Sequence, residues 1–162
     1  MGDWFQDKVI KPMLIGAEGE AFDSPDYLYE LKLDGERCVA YLDESGTDLR
    51  NKRNLKMLPK VPELSEIHTQ VKCRCILDGE LADFFLIQRR SMMSNPVKIQ
   101  LEAQRHPACF TAFDILYYED HPVTDLPLME RKKLLESVIK EESPRFAVSR
   151  WIEGQGIAVY EL

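Results

Sequence analysis

What this sequence has little of removes several classes of protein. No apolar run approaches the ~20 residues that a membrane-spanning helix needs, so no membrane partner is expected. The opening stretch MGDWFQDKVIKPML carries two acids and no long apolar run, and does not read as a secretory signal. Cysteine is sparse, with four residues at 38, 73, 75 and 109. Cys73 and Cys75 are expected to point the same way from one strand, and no second Cys or His pair completes a zinc site around them. Reduced cysteines in a cytoplasmic protein are the plain expectation. Internal repeats and low-complexity tracts are missing. Positive charge is also short: 21 Lys and Arg against 28 Asp and Glu give a formal charge of -7. That balance argues against a chain that coats nucleic acid by bulk attraction.

What remains is an ordinary soluble composition, 44% apolar and 30% charged, and 162 residues are enough for one domain with a real core. The basic residues are unevenly spread. Arg50, Lys52, Arg53, Lys56 and Lys60 crowd together, and Arg89 adjoins Arg90. These read either as a local basic face or as solvated loops.

Patterning predicts strands first and then helices interleaved with strands. Tyr27, Tyr29, Leu31 and Leu33 alternate, which predicts a strand over 27–33. Asp34-Gly35 signals a turn, and strands are expected again over 37–42 and 47–50, completing an antiparallel meander. Pro59 and Pro62 limit any helix in 51–70. A strand over 75–85 is expected to be interrupted at Asp78-Gly79, one or two short helices fall within 86–105, and 108–118 is rich in strand formers. A helix is predicted over 128–139, with Leu128, Leu134, Leu135, Val138 and Ile139 as its apolar stripe and Pro127 in its first turn. Residues 145–152 form a further strand candidate, and a helical pattern begins at Gly156. The fold class is α+β, built on antiparallel sheets with packed helices.

The stretch YELKLDGERCVAY sets one lysine among acids. If a strand runs through it, period two puts Glu30, Lys32 and Asp34 on one face. Gly35 then permits a tight turn or a close backbone approach, and Arg37 returns to the same region. The modest alternative is a surface hairpin laced with ion pairs, each worth ~0–1 kcal/mol. A lysine amine near its usual pKa is a poor nucleophile at neutral pH. Flanking carboxylates raise that pKa further, so here the acids orient or desolvate the amine rather than activate it.

K-L-D-G-E-R at 32–37 resembles the K-x-D-G-x-R motif of the covalent nucleotidyltransferases, which include ATP-dependent DNA ligases, RNA ligases and capping enzymes. Further matches follow in family order: NKRN with Arg53, ILDGEL with Asp78, Gly79 and Glu80, a D-F-x-x-x-Q-x-R segment from Asp83 to Arg90, and FTAFDILYYED with Phe113 and Asp114. PLMERKKLLESV resembles the P-L-x-x-R-x-x-L helix of bacterial DNA ligases. The resemblance covers about residues 9 to 162 and is nearest the adenylation domain of ligases of bacterial non-homologous end joining.

This resemblance implies part of an ATP-grasp-like covalent nucleotidyltransferase domain. ATP is the implied cosubstrate, magnesium or manganese the implied cation, and nicked or broken double-stranded DNA the implied partner. Lys32 is the implied nucleophile that carries AMP. Glu30 is implied to read adenine, Arg37 to contact sugar or phosphate, and Phe113 to stack on the base. Glu80 is implied to hold a ribose hydroxyl or to position the metal. Asp34, Gly35, Asp78 and Gly79 are expected to shape turns. Arg53 and Arg90 are implied to contact DNA or nucleotide phosphates, with an internal salt bridge as an equal alternative for Arg90.

Two departures from the family pattern shape the expectation. The polar hairpin that usually follows DGEL is clipped here, since ADFF follows at once. The later E-G-x-x-x-K motif and its lysine-bearing strand are not matched: Glu153-Gly154 has no lysine after it, and GIAVYEL resembles the helix upstream of that motif. Residues 1–162 are therefore expected to be the N-terminal part of an adenylation domain, without the oligonucleotide-binding (OB-fold) domain that closes over DNA. An RNA ligase-like enzyme and a non-catalytic nucleotide- or partner-binding remnant are the alternatives.

Overall fold

The computed structural model describes residues 2–161. Its elements run α1 (Trp4–Asp7), β1 (Leu28–Glu30), β2 (Gly35–Asp43), β3 (Gly46–Arg50), β4 (Cys75–Ala82), α2 (Phe84–Ser91), α3 (Pro96–Arg105), β5 (Cys109–Tyr118), β6 (His121–Pro122), α4 (Leu128–Val138), β7 (Phe146–Val148), β8 (Trp151–Glu153) and α5 (Gly156–Tyr160). Three short 3-10 turns occupy 58–70, where the prolines forbid a long helix. The α+β expectation holds.

The main sheet has the order β3-β2-β4-β5-β6, antiparallel throughout, and β7 adds to β5 in parallel. Alternation along β2 sends Cys38, Ala40 and Leu42 into the larger core, with Leu77, Leu81, Phe110, Leu135 and Phe146. It sends Val39 and Tyr41 to the opposite face, where Phe5 of α1 covers them together with Ile76 and Tyr117. The sheet is thus buried on both faces. The short α1 is started by Asp3, whose carboxylate accepts the Phe5 N–H at 2.9 Å. Asp83 and Asn95 cap α2 and α3 in the same way.

The predicted meander is corrected at its first strand. β1 does not pair with β2. It forms a separate two-stranded sheet with β8, in the register Leu28↔Glu153, Tyr29↔Ile152 and Glu30↔Trp151. The single strand expected over 145–152 is likewise two strands, β7 in the main sheet and β8 in the small one. The chain therefore passes between sheets twice, at 31–34 and at 149–150. The alternation at 27–33 misled because Tyr27 and Leu31 are exposed, so its apolar positions do not face the core.

Neither Asp-Gly pair makes a turn. Gly35 opens β2 opposite Ala82, and a Cβ there would sit 2.0 Å from the Leu81 carbonyl oxygen. Gly79 lies mid-strand, and its Cβ would meet Thr111 O at 2.3 Å and the Phe110 ring at 2.7 Å. Both glycines are required by close approach of a neighbouring strand or side chain. Asp78 is an interior residue of β4, and Asp34 is an exposed residue of the connector before β2.

Of the two readings of Arg90, the internal salt bridge is the one the structure shows, and phosphate contact is corrected. Arg90 is 2% exposed, and four of its hydrogen bonds end inside the protein: on Glu63 Oε1 at 2.9 Å, Glu63 Oε2 at 3.0 Å, Lys60 O at 3.0 Å and His106 O at 3.0 Å. It clamps α2 to the 3-10 turns and to the end of α3, and is not available to DNA or nucleotide. Arg90→Ala leaves the Glu63 carboxylate buried without its partner. Its expected cost is about 3–5 kcal/mol in urea unfolding, with ATP affinity of the folded fraction unchanged. Full stability with weakened ATP binding would instead restore a phosphate-contacting role.

Candidate functional site

The cavity that matters lies where the chain passes twice between the sheets. It has a volume of about 410 Å3 and is bordered by Glu30, Lys32, Arg37, Glu80, Phe113 and Ser149, with Leu14 and Ile15 from the N-terminal segment. Lys32 stands on the 31–34 connector and Ser149 at the β7–β8 crossing. Glu30, Leu31 and Lys32 also border a second cavity of about 370 Å3, so this short segment is the wall between two spaces. A larger cavity of about 690 Å3 opens at the far end of β2, around Asp43, His68 and Arg74. It contains none of the candidate residues, so volume alone is a poor guide to the site.

Each side chain has a local reason for its position. Arg37 and Glu80 face each other across β2 and β4. Phe113 is presented by a bulge: Asp78 pairs with Asp114 and Gly79 with Ala112, so Phe113 is the extra residue on β5. Bulges bend a strand and re-aim a side chain. Here the ring reaches the cavity, with the Arg37 guanidinium 4.9 Å from its centroid. Glu30 is carried by the last residue of β1 and is joined to Lys132 of α4, whose ammonium also donates to the Phe113 carbonyl.

The carboxylates of this region divide by partner. Asp78 receives two bonds from Arg37, both 2.7 Å, and is buried. Burial pushes its pKa up while Arg37 pulls it down. Asp114 receives Arg131 from α4 at 2.9 and 3.3 Å. Among the described residues Glu80 takes no such pair. Burial raises its pKa, against opposing pulls from Arg37 and Lys32. Its half-buried carboxylate is the one in this group left for a ligand.

Among the described residues, no group of three or more His, Cys, Asp or Glu side chains is arranged to hold a metal ion. A magnesium ion at this cavity fits only as an ion resting on Glu80 and completed by substrate phosphates and water, a donor set that magnesium accepts.

The family match covers residues 16–161 and is to the ATP dependent DNA ligase domain. The chain belongs to this family. It is 33% identical over 128 residues to the bifunctional non-homologous end joining protein LigD of Bacillus subtilis, covering 70% of this chain and 21% of that protein. It is 30% identical over 145 residues to DNA ligase C2 of Mycolicibacterium smegmatis, covering 85% of this chain and 40% of the relative. The chain thus spans well under half the length of these relatives. Among solved structures, the ligase domain of M. tuberculosis LigD superposes with a TM-score of 0.66 at 20% identity, over 90% of this chain and 47% of that one. That likeness concerns the fold.

Glu30, Lys32, Arg37, Glu80 and Phe113 all border this cavity. Arg53 does not. It is exposed in the turn after β3 and is not among the cavity's lining residues. Of the basic run, Arg50 pairs with Asp48 at 2.8 Å and Lys60 donates to the Met93 carbonyl, so part of it serves the fold. The four cysteines are free, and Cys73 precedes β4 rather than sharing the strand with Cys75.

Sequence reasoning missed Arg131 and Lys132. The signal was present: Lys132 lies four residues after Leu128 and three before Leu135, on the apolar stripe itself. It is 3% exposed, while Leu128, expected on the same stripe, is exposed.

The unequal partnering of Asp78 and Glu80 predicts opposite responses. Asp78→Asn leaves Arg37 without its bidentate acceptor and is expected to cost about 3 kcal/mol. Glu80 binds its proton more tightly folded than unfolded, so stability falls as pH rises above the usual glutamate value of 4.5. Glu80→Gln should remove that decline and leave the melting temperature at pH 7 unchanged or higher. Thermal unfolding of both variants across pH 4–8 checks this, and a large loss in Glu80→Gln would assign Glu80 to the fold instead.

Proposed function

We propose that this chain supplies the nucleotide-binding part of an adenylation domain, in which Lys32 takes AMP from ATP as the first step of joining 5′-phosphate and 3′-hydroxyl ends of DNA. The observation that carries the reading is convergence. Residues from three separated motifs, Lys32 with Arg37, Glu80, and Phe113, border one cavity of about 410 Å3, a size suited to a small ligand.

The chemistry asks for position and charge compensation more than for elaborate acid–base groups. The Lys32 amine, once deprotonated, attacks the α-phosphorus. An N–P bond forms, the bond to the bridging oxygen breaks, and pyrophosphate leaves with that electron pair. Lys32 suits this because it stands on an exposed connector with room to align in line with the leaving group. Phe113 offers the base a ring to stack on, and Glu30 offers an acceptor to its edge. Arg37, already turned toward the cavity, supplies donors for sugar or phosphate oxygens. Glu80 holds a ribose hydroxyl or anchors the cation. A divalent cation would offset phosphate charge.

AMP then passes from Lys32 to the 5′-phosphate of DNA, and a 3′-hydroxyl displaces it. The named relatives are DNA ligases, which favours DNA over RNA as the acceptor. With few basic groups free near the cavity and a charge of -7, DNA affinity of these 162 residues is expected to be weak and steeply salt-dependent.

Two measurements test the reading. Incubation with ATP and magnesium should raise the intact mass by one AMP moiety, and Lys32→Ala should abolish the gain without unfolding the protein. An adduct that survives in Lys32→Ala would remove the assignment. No adduct in the wild type, with ATP still bound, would favour a nucleotide-binding remnant. Phe113→Leu should weaken ATP binding about tenfold, since base stacking is worth ~1–3 kcal/mol, while moving the melting temperature little. The reverse pattern would make Phe113 a core residue.

A further inference from the structure

Lys132 is the most buried cation beside the cavity, 3% exposed, yet it is not among the cavity's lining residues. Its ammonium donates to two acceptors that belong to different parts of the site. One is Glu30 Oε1, at the end of the small sheet. The other is the carbonyl oxygen of Phe113. That carbonyl needs a partner for a structural reason. Phe113 is the bulged residue that β4 skips, and the β7 ladder ends at Ala112, so its oxygen has no place in either ladder. The same residue that aims the Phe113 ring thus leaves an orphan acceptor behind it, and Lys132 satisfies that acceptor. The neighbouring Arg131 grips Asp114, so two consecutive residues of α4 fix two consecutive residues of β5.

We propose that Lys132 is a positioning residue for base selection, one that sets the preference for a purine triphosphate bearing a 6-amino group over one bearing a 6-oxo group. The proposal rests on the nucleotide-binding reading of the cavity. Glu30 Oε1 is held by Lys132, and among the described residues Oε2 receives no donor. A base stacked on Phe113 brings its edge toward Glu30, which borders the same cavity. A 6-amino group donates to a carboxylate, whereas a 6-oxo group is an acceptor and is repelled by it. Discrimination of this kind requires a carboxylate that cannot rotate away, and one ammonium fixes both the platform and the reader.

The test compares equilibrium affinities for ATP and inosine triphosphate, which differ in the 6-substituent. The wild type should favour ATP. Lys132→Met should narrow the ATP-to-inosine triphosphate ratio by about tenfold, a partial loss because the Glu30 carboxylate stays but is no longer held, and Lys132→Arg should restore most of it. If Lys132 only supports the fold, Lys132→Met lowers the melting temperature and weakens both nucleotides equally. An unmoved ratio therefore overturns the proposal. Should Lys132→Met not fold, Lys132→Gln, which keeps a donor for the Phe113 carbonyl but loses the charge that holds Glu30, reads the same coupling. The ratio should fall there too, and an unchanged ratio is equally fatal. A wild type that binds both triphosphates alike, or neither, also overturns it. Retained ATP preference without a Lys32–AMP adduct would sink the adenylation reading alone and leave base selection standing.

Discussion

Carboxylates set into the sheet beside the cavity are the constraint around which this end of the molecule is organised. Asp78 and Asp114 are directly opposite on β4 and β5, and two acids at adjacent ladder positions repel unless each is neutralised. β2 supplies Arg37 for the first and α4 supplies Arg131 for the second. Each arginine reaches a buried or half-buried acid from a different element, so the charge pairing also fixes where β2 and α4 sit against β4 and β5. With both aspartates satisfied, Glu80 is the acid of the group left facing the cavity without a guanidinium of its own. Partner geometry separates the two acids of the D-G-E motif: Asp78 is taken by Arg37, and among the described residues Glu80 has no ion-pair partner.

Legibility in the sequence tracked how local each determinant is. β4, β5 and α4 were readable because their apolar patterns face a core that repeats at strand or helix period, as with Leu77 and Leu81 or Leu135 and Val138. Lys32, Glu80 and Phe113 were singled out by their resemblance to nucleotidyltransferase motifs, and the three border one cavity. Strand partners were not. Nothing in Leu28–Glu30 announces that its partner is Trp151–Glu153, and a strand exposed at Tyr27 looks the same whether it starts a hairpin or joins a distant segment. The two Asp-Gly pairs misled for a related reason. Glycine before or within a strand serves a turn or a close approach equally well, and only the neighbouring backbone, Leu81 for Gly35 and Thr111 for Gly79, decides between them. Arg90 sits in a motif-like segment, yet its partner Glu63 lies in a stretch without periodicity, so burial of the pair could not be read from either end.

The position of the cavity follows from the two sheet crossings. A chain that leaves one sheet must break its ladder, and the backbone between sheets is free of the period-two rule that buries every second side chain. Lys32 stands in such a break, which explains how an amine flanked by Leu31 and Leu33 stays accessible. Ser149 stands at the other crossing and closes the same space. The site is therefore built where hydrogen-bonded structure is interrupted, while the pieces that flank it, β1 with β8 and β2 with β4, are held in fixed register.

The bulge at Phe113 ties presentation of the ring to helix α4. A regular β5 would let Phe113 alternate with Ala112 and Asp114, and its carbonyl would join a ladder. Skipping one residue turns the ring toward the cavity and strands the carbonyl oxygen, and a stranded acceptor beside a buried lysine is stable only if the lysine also finds a negative charge. Glu30 is that charge. The three requirements close on one another: the bulge needs Lys132, buried Lys132 needs a carboxylate, and the carboxylate within reach is the one at the cavity wall. A hydrophobic residue at 132 would suit the stripe of α4 better on packing grounds alone. Lysine at 132 instead joins α4 to the cavity wall through Glu30 and the Phe113 carbonyl.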